Sequence, residues 1–214
     1  LNHHLDRQAV SAIQIQTAPA RNKADSSVQA LEQSLHTMLQ WDWQGAKIVI
    51  EHCDALMPEH EPSKGFLALQ DELALLTRLN ETLPPQQKLG MVINWGSSVF
   101  ETRQVDGALE HIKQAKAAGV LAGLMFSGVS DEESEFGAWR DSHQPPQQSA
   151  AVPYGEPGSW MSEQAMQQCL AACNAAELLV LGAKIGIRPH SAGIDQRIAT
   201  ISDTLAILQR FFTA

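Results

Sequence analysis

The densest group of polar side chains in the chain, Glu51-His52-Cys53-Asp54, directly follows the apolar residues 47–50 of a predicted buried strand. A carboxylate at the end of a strand can bind a divalent cation or act as a general base. Because side chains alternate along a strand, Glu51 and His52 point to opposite faces, and only one of them can face a site. A functional role is the better interpretation for Glu51, since burying an unpaired carboxylate is costly. For His52 and Asp54, packing against a helix and capping of the next turn are equally good interpretations.

Two further apolar runs end in candidate residues. Asn94 carries an amide that can both donate and accept hydrogen bonds, and Trp95 carries an indole on which a sugar ring can stack. A structural asparagine and a core tryptophan explain this pair equally well. Lys184 interrupts the apolar run ELLVLGAKIGI, where an ammonium must be paired or have its pKa lowered, so it is a candidate for anion binding or proton transfer. The alternative is a lysine that reaches solvent from the other end of the strand.

The other candidates come from the same pattern of strand ends. The first run ends in three polar residues, Gln14, Gln16 and Thr17. The fourth run ends at Ser127. Arg188 and His190 follow Lys184, and the Arg188 guanidinium suits a phosphate or a carboxylate. His143 lies in a long polar segment and reaches the site only if that segment closes over it. The remaining histidines indicate no specific site; they are His3, His4, His36, His60 and His111.

Five short apolar runs must position these residues, and each is followed by a segment of helical periodicity. The runs cover residues 9–17, 46–53, 88–95, 119–127 and 177–187. This alternation is typical of parallel βα units, and runs that are apolar on both faces fit strands covered on both sides. We therefore predict an α/β fold: the last five βα units of a (β/α)₈ TIM barrel in a single domain over residues 1–214. A complete barrel takes about 250 residues, so the three N-terminal units are expected to be absent, in agreement with a first residue that is leucine.

An open doubly wound sheet also accommodates five parallel strands and is the alternative fold. Neither a GxGxxG nor a GxxxxGK[ST] motif follows a strand, so a nucleotide-binding form of that fold has no support. The predicted helices cover residues 26–40, 67–81, 105–118, 162–175 and 202–212, each beginning near a serine or ending near glycine or proline where the chain offers one. Residues 130–159 are rich in proline and glycine and are predicted to be an active-site lid or a disordered insertion. Their aromatic residues favour the lid.

Composition excludes several classes of function. A net charge of -9 without any run of lysine or arginine argues against nucleic-acid or membrane-surface partners. No apolar stretch is long enough to span a membrane, and we expect a cytoplasmic protein with buried thiols at its three cysteines. Motifs of zinc proteases and serine hydrolases are missing, and the sequence gives no support for the paired carboxylates of a glycosidase. Self-association into a homo-oligomer stays open.

Four segments, IVIEHCDA, VINWG, LMFSG and KIGIRP, resemble the xylose-isomerase-like TIM-barrel superfamily of sugar isomerases, sugar-phosphate epimerases and endonuclease-IV-like enzymes. The likeness is greatest to an uncharacterised bacterial branch with similar EHCDA, NWG and GLMFSG segments, and it covers about residues 12–212. It implies that the visible strands are the fourth to eighth of the barrel. It also implies a divalent cation held by a glutamate, an aspartate, a histidine and a second glutamate. Of these ligands only Glu51 is present, because Asn94, Ser127 and Lys184 stand at or near the other three positions.

One carboxylate, two neutral oxygens and an ammonium suit tight binding of a divalent cation poorly. The resemblance together with these substitutions predicts a metal-free isomerase or epimerase of sugars or sugar phosphates. In it Lys184 polarises a carbonyl and Glu51 is the base. The residues expected to bind the carbohydrate are Gln16, His52, Asn94, Trp95, Ser127, His143 and Arg188. The competing prediction is a barrel without catalysis that binds a sugar or a protein partner through Asn94, Trp95, Trp139 and Trp160.

Overall fold

Five parallel strands form one sheet that curls into a half-barrel. The computed structural model describes residues 1–23 and 26–210. The strands are β1 (Ala12–Ile15), β2 (Lys47–His52), β3 (Gly90–Asn94), β4 (Leu121–Phe126) and β5 (Val180–Ala183). Each strand pairs in parallel with the next one along the chain, in the order β1-β2-β3-β4-β5. A doubly wound sheet reverses its strand order at a switch point, and no reversal occurs among the described strands, so that alternative is wrong.

Helices connect the strands and cover one face of the sheet. They are α1 (Asn2–Leu5), α2 (Val28–Met38), α3 (Leu69–Thr82), α4 (Trp95–Thr102), α5 (Gly107–Ala117), α6 (Glu163–Ala172) and α7 (Ile194–Gln209). The predicted caps are confirmed for α2 and α6, where Ser27 and Ser162 accept a hydrogen bond from a backbone N–H of the first turn. The C-terminal stop of α5 is confirmed by Gly119, whose φ of 68° is a conformation that glycine adopts without strain.

Helix α4 was not predicted, and the predicted start of α7 was wrong. Strand β3 passes into α4 without a loop, because Asn94 both ends the strand and caps the helix by accepting from the Ser97 N–H at 3.3 Å. The last helix was expected after Ser202 but begins at Ile194, behind a glycine that offers no side-chain cap. The predicted end of that helix at residue 212 lies outside the described residues.

The hydrophobic core lies between the sheet and the helices. Alternate strand residues such as Ile50, Ile93 and Leu124 enter this layer and meet Leu76 of α3 and Ile112 of α5. All five are almost fully buried. The intervening strand residues therefore line the opposite, concave face of the sheet, where a barrel has its interior.

Residues 130–159 form an irregular but packed segment at the carboxyl ends of β4 and β5. Isolated bridges join Gly128 to Gln144 and Gln147 to Glu156, and Phe136 is buried. The segment is thus packed against its surroundings, and its role as a lid or an insertion stays a prediction. All three cysteines are buried free thiols, as expected. Within residues 1–23 and 26–210, none of the helices has the length and apolar character needed to cross a bilayer.

Candidate functional site

The carboxyl ends of all five strands contribute to one hydrogen-bonded network around Glu51. Glu51 Oε2 accepts hydrogen bonds from Gln14 Nε2 at 2.8 Å and Gln16 Nε2 at 3.0 Å. Glu51 Oε1 accepts from Asn94 Nδ2 at 2.9 Å and also forms an ion pair with Lys184 Nζ. Four donors from three strands thus saturate one buried carboxylate.

Ser127 completes the network from the fourth strand. Its hydroxyl donates to Asn94 Oδ1 at 2.8 Å, which leaves the Asn94 amide nitrogen to point at Glu51. This orientation requires α4 to start very close to the end of β4. A Cβ on Gly96 would lie only 2.3 Å from the Ser127 carbonyl oxygen, so glycine is the residue that permits the approach. We refer to Gln14, Gln16, Glu51, Asn94, Ser127 and Lys184 as the Glu51 network.

The charge state of Glu51 follows from these contacts. Burial by itself would raise the pKa of Glu51, but the Lys184 ammonium and the amides of Gln16 and Asn94 hold that pKa below its ordinary value. Glu51 is therefore ionised at neutral pH. It is buried beneath Gln14, Gln16 and the partly exposed Lys184, so a ligand on the concave face reaches these three side chains first.

The residues of the network do not fit a divalent cation. Both Glu51 oxygens are occupied by N–H donors, and the Lys184 ammonium lies against the only carboxylate of the network. The positive charge that a cation would bring is thus already supplied by a side chain. The expectation that the substituted ligands leave no tight metal site at Glu51 agrees with this geometry.

His52 was expected among the substrate-binding residues, and the structure places it elsewhere. Its side chain points to the helix side of β2, is fully buried, and lies with Nδ1 2.8 Å from Glu72 Oε2 and Nε2 3.2 Å from Glu101 Oε2. The reason is the strand alternation: since Glu51 faces the concave side, His52 must face the helices. Burial by itself lowers the pKa of His52, but Glu72 and Glu101 raise it to about 10.

The partners of His52 form a second buried cluster that the sequence analysis missed. Glu72 accepts from Thr17 Oγ1 at 2.8 Å, and His111 Nε2 lies 3.9 Å from Glu101 Oε1. A sequence pattern for this cluster exists: Glu72 falls on the apolar stripe of α3 at helical spacing from leucines 69, 76 and 79. A carboxylate on such a stripe indicates a buried partner.

Trp95 and Asp54 lie outside the Glu51 network, and their contacts stabilise the fold. Trp95 is the first residue of α4 and is buried in the core between the sheet and the helices, which favours the core role considered as its alternative over stacking on a ligand. Asp54 accepts from the backbone N–H groups of Ser63, Lys64 and Gly65, which is the turn-capping role considered as its alternative.

The two outlying candidates form no hydrogen bond or ion pair with the Glu51 network in the described part of the chain. His143 Nε2 pairs with Asp141 at 3.2 Å, and Asp141 also pairs with Lys64 at 3.1 Å, which ties residues 130–159 to the loop after β2. Arg188 lies over the Phe136 ring at 5.3 Å and lines a separate open cleft of ≈ 220 Å³. If His143 and Arg188 bind substrate, the ligand must therefore extend from the Glu51 network to these two residues.

The two outer tryptophans named for ligand stacking pack within the protein. Trp139 and Trp160 contact each other edge to face at 5.0 Å, and the Arg103 guanidinium covers Trp139 at 4.0 Å. The Trp160 indole N–H donates to Asp131 at 2.9 Å. These contacts occupy the ring faces and edges on which a sugar would otherwise stack.

Comparisons with known proteins place the chain among relatives. The sequence profile described as "Domain of unknown function (DUF4862)" matches residues 1–200. The uncharacterized protein STM3670 of Salmonella typhimurium (strain LT2) is 32% identical over 203 residues, which cover 94% of this chain and 60% of that protein. The chain thus spans about 60% of the length of that curated relative. No solved structure matches the chain. The profile match includes all five strands and therefore the whole Glu51 network.

Proposed function

The chain belongs to the DUF4862 family, and we propose that its Glu51 network transfers a proton at a carbon next to the carbonyl of a sugar or sugar phosphate. This is the reaction of an isomerase or epimerase. The observation that carries the proposal is the pair formed by Glu51 and Lys184. An acceptor of protons and a cation meet there on the concave face of a parallel sheet, at the strand ends where such folds build their sites.

In this proposal Lys184 donates to the carbonyl oxygen of the substrate and stabilises the enediolate that forms. Glu51 takes up the proton from the neighbouring carbon. A carboxylate of lowered pKa is ionised but is a weak base. When the ammonium turns to the substrate carbonyl, Glu51 loses its strongest stabilising contact and its basicity rises as the substrate binds. Gln14 and Gln16 then contact substrate hydroxyl groups with their amides.

We also propose that the half-barrel is the later part of a complete xylose-isomerase-like TIM barrel. The sequential parallel strand order supports this, as does the larger size of the Salmonella relative. Four residues on one side of α7 are exposed although they are apolar; they are Ile194, Ile198, Ile201 and Leu205. Further βα units would bury that stripe. A crystal structure of the Salmonella relative tests the proposal, because an open five-stranded sheet without additional strands would contradict it.

A carbohydrate-binding protein without catalysis is the second candidate. The saturation of Glu51 by four donors favours it, since a carboxylate held in this way is a poor base, while the exposed amides of Gln14 and Gln16 can bind sugar hydroxyl groups. The two candidates make opposite predictions about exchange of substrate protons with solvent.

The experiment is proton NMR of a panel of aldoses, ketoses and their phosphates incubated with the protein in D₂O. We expect loss of the signal of the proton next to the carbonyl in at least one sugar, and loss of that exchange in Glu51→Gln. The matched control is Glu81→Gln, an exposed glutamate of α3, which should exchange at the wild-type rate. Binding of a sugar without any exchange would favour the second candidate and refute the first.

A further inference from the structure

We propose that His52, Glu101 and His111 form a binding site for a divalent transition-metal ion, typified by Zn²⁺, on the helix side of the sheet. One potential ligand atom from each residue lies within 4.8 Å of the other two, and all three residues are buried. The three come from the end of β2, from α4 and from α5, so a bound ion would tie both helices to the sheet. The site is separate from the Glu51 network, because His52 and Glu51 point to opposite faces of the same strand.

The distances suit a small ion with nitrogen and oxygen ligands. A tetrahedral zinc ion with bonds of about 2.1 Å separates its ligand atoms by about 3.4 Å. Here His52 Nε2 lies 3.2 Å from Glu101 Oε2, and His111 Nε2 lies 3.9 Å from Glu101 Oε1. The two distances involve different oxygens of Glu101, and all three ligand atoms lie within 4.8 Å of one another, so the side chains have to move closer together to coordinate one ion. Two histidines and one glutamate leave the fourth position to a water molecule.

Both imidazoles are already oriented as metal ligands are. His52 Nδ1 bonds to Glu72 Oε2 at 2.8 Å, and Glu72 is itself held by Thr17. His111 Nδ1 bonds to Ser98 Oγ at 3.0 Å. In metal sites the nitrogen away from the ion is fixed by such a carboxylate or hydroxyl, which leaves Nε2 free to coordinate.

One buried nitrogen of the cluster has no hydrogen-bond partner among the described residues. His52 Nε2 is fully buried, and although Glu101 Oε2 is close, the direction is poor and no hydrogen bond forms within the described residues. An unbonded polar atom in such a place is costly. The described residues also provide no lysine or arginine that pairs with Glu72 or Glu101. Because Glu72 and Glu101 raise the pKa of His52 to about 10, an incoming divalent ion would displace the Nε2 proton to solvent. The ion would then offset the two carboxylates with two positive charges instead of the one on the imidazolium.

The test uses the full chain, treated with a chelator and titrated with Co²⁺ as a coloured substitute for Zn²⁺. We expect one Co²⁺ per chain, with visible absorption of the intensity typical of four or five ligands, displaced by Zn²⁺. The His111→Gln and Glu101→Gln variants should lose this binding. The Glu72→Gln variant should bind about 10-fold to 100-fold more weakly, because it removes the carboxylate behind His52.

Two controls separate the cluster from its surroundings. His60→Gln changes a histidine whose ring nitrogens lie near two backbone carbonyl oxygens, that of Glu101 at 2.9 Å and that of Glu61 at 3.3 Å. This variant should bind Co²⁺ as the wild type does. Glu51→Gln changes the carboxylate on the opposite face and should also bind normally. No stoichiometric Co²⁺ in the wild type, unchanged binding in His111→Gln, or loss of binding in Glu51→Gln would each overturn the proposal.

A measurement on the wild type alone covers the case in which the ligand variants fail to fold by circular dichroism. Proton NMR of the Co²⁺ form should show two strongly shifted, exchangeable imidazole N–H signals, one each from Nδ1 of His52 and His111. A Co²⁺ complex without these two signals would place the ion elsewhere and refute the assignment.

Discussion

Replacing Lys184 with methionine tests whether the ammonium stabilises the buried Glu51 carboxylate. The side chain of Glu51 is 1% exposed and that of Lys184 is 29% exposed. Two unit charges in contact attract by roughly 4 kcal/mol at an effective dielectric constant of about 20. Solvent at Lys184 screens part of this attraction, and three neutral amide donors stay on Glu51 in the variant. We therefore expect Lys184→Met to lower the free energy of unfolding by about 2–3 kcal/mol at pH 7.

The dependence on pH gives the sign of the effect. In the wild type the pKa of Glu51 is below its ordinary value of 4.5, so its stabilising contribution is present above that pH and is lost as the pH falls. In Lys184→Met burial dominates and raises the pKa of Glu51. As the pH falls, Glu51 of the variant takes up a proton, and the cost of its unpaired buried charge disappears. The difference in unfolding free energy between the two proteins should be smaller at pH 5 than at pH 7.

Urea unfolding followed by tryptophan fluorescence measures both effects. The double variant Lys184→Met with Glu51→Gln should be more stable at pH 7 than Lys184→Met, because no unpaired charge stays buried. The matched control is Lys113→Met, whose exposed pair with Glu110 should contribute less than about 0.5 kcal/mol. A destabilisation that is equal at pH 5 and pH 7, or none at all, would refute the reasoning.

Three further variants test the positions of the surrounding groups, all by urea unfolding. Gly96→Ala should cost about 2–3 kcal/mol, since the new Cβ would meet the Ser127 carbonyl oxygen at 2.3 Å; wild-type stability would show that this approach is wrong. Ser127→Ala should cost about 1 kcal/mol through loss of its 2.8 Å bond to Asn94, and no loss would mean that the bond does not form. Asp141→Asn should cost about 0.5–1 kcal/mol at pH 6. The hydrogen bond with His143 is the main cause that lowers the pKa of Asp141 to about 2. The difference in stability between the wild type and Asp141→Asn should therefore vanish as the pH falls from about 4 towards 2. A difference that persists at pH 2 would contradict the pairing.

The sequence was sufficient to bring together the inward-facing residues of the Glu51 network. Parallel strands of predicted position place their carboxyl ends at one edge, so Gln16, Glu51, Asn94 and Lys184 had to lie near one another. The alternation rule also separated Glu51 from His52 without any structure. What the rule left open was which of the two faces the concave side, and the packing of Ile50 and His52 against the helices decides that.

The residues that sequence reasoning misplaced depend on contacts between distant segments. Trp95 follows a strand, but its position as the first residue of a helix turns the indole into the core. Helix α7 begins after Gly193, which offers no capping side chain, so the later Ser202 was the stronger local pattern. His111 reaches His52 only because α5 packs beside α4, and nothing in the sequence near either histidine encodes that contact.

The central claim is that Glu51 and Lys184 transfer a proton without a metal ion. The most direct test is to measure, by proton NMR with chelator-treated protein, whether deuterium enters a sugar at the carbon next to its carbonyl. Circular dichroism must first show that chelator treatment leaves the fold intact. We predict that the wild type exchanges the proton without added metal and that Lys184→Ala exchanges it about 100-fold more slowly or not at all. Exchange that needs an added divalent cation, or that proceeds equally well in Lys184→Ala, would contradict the account.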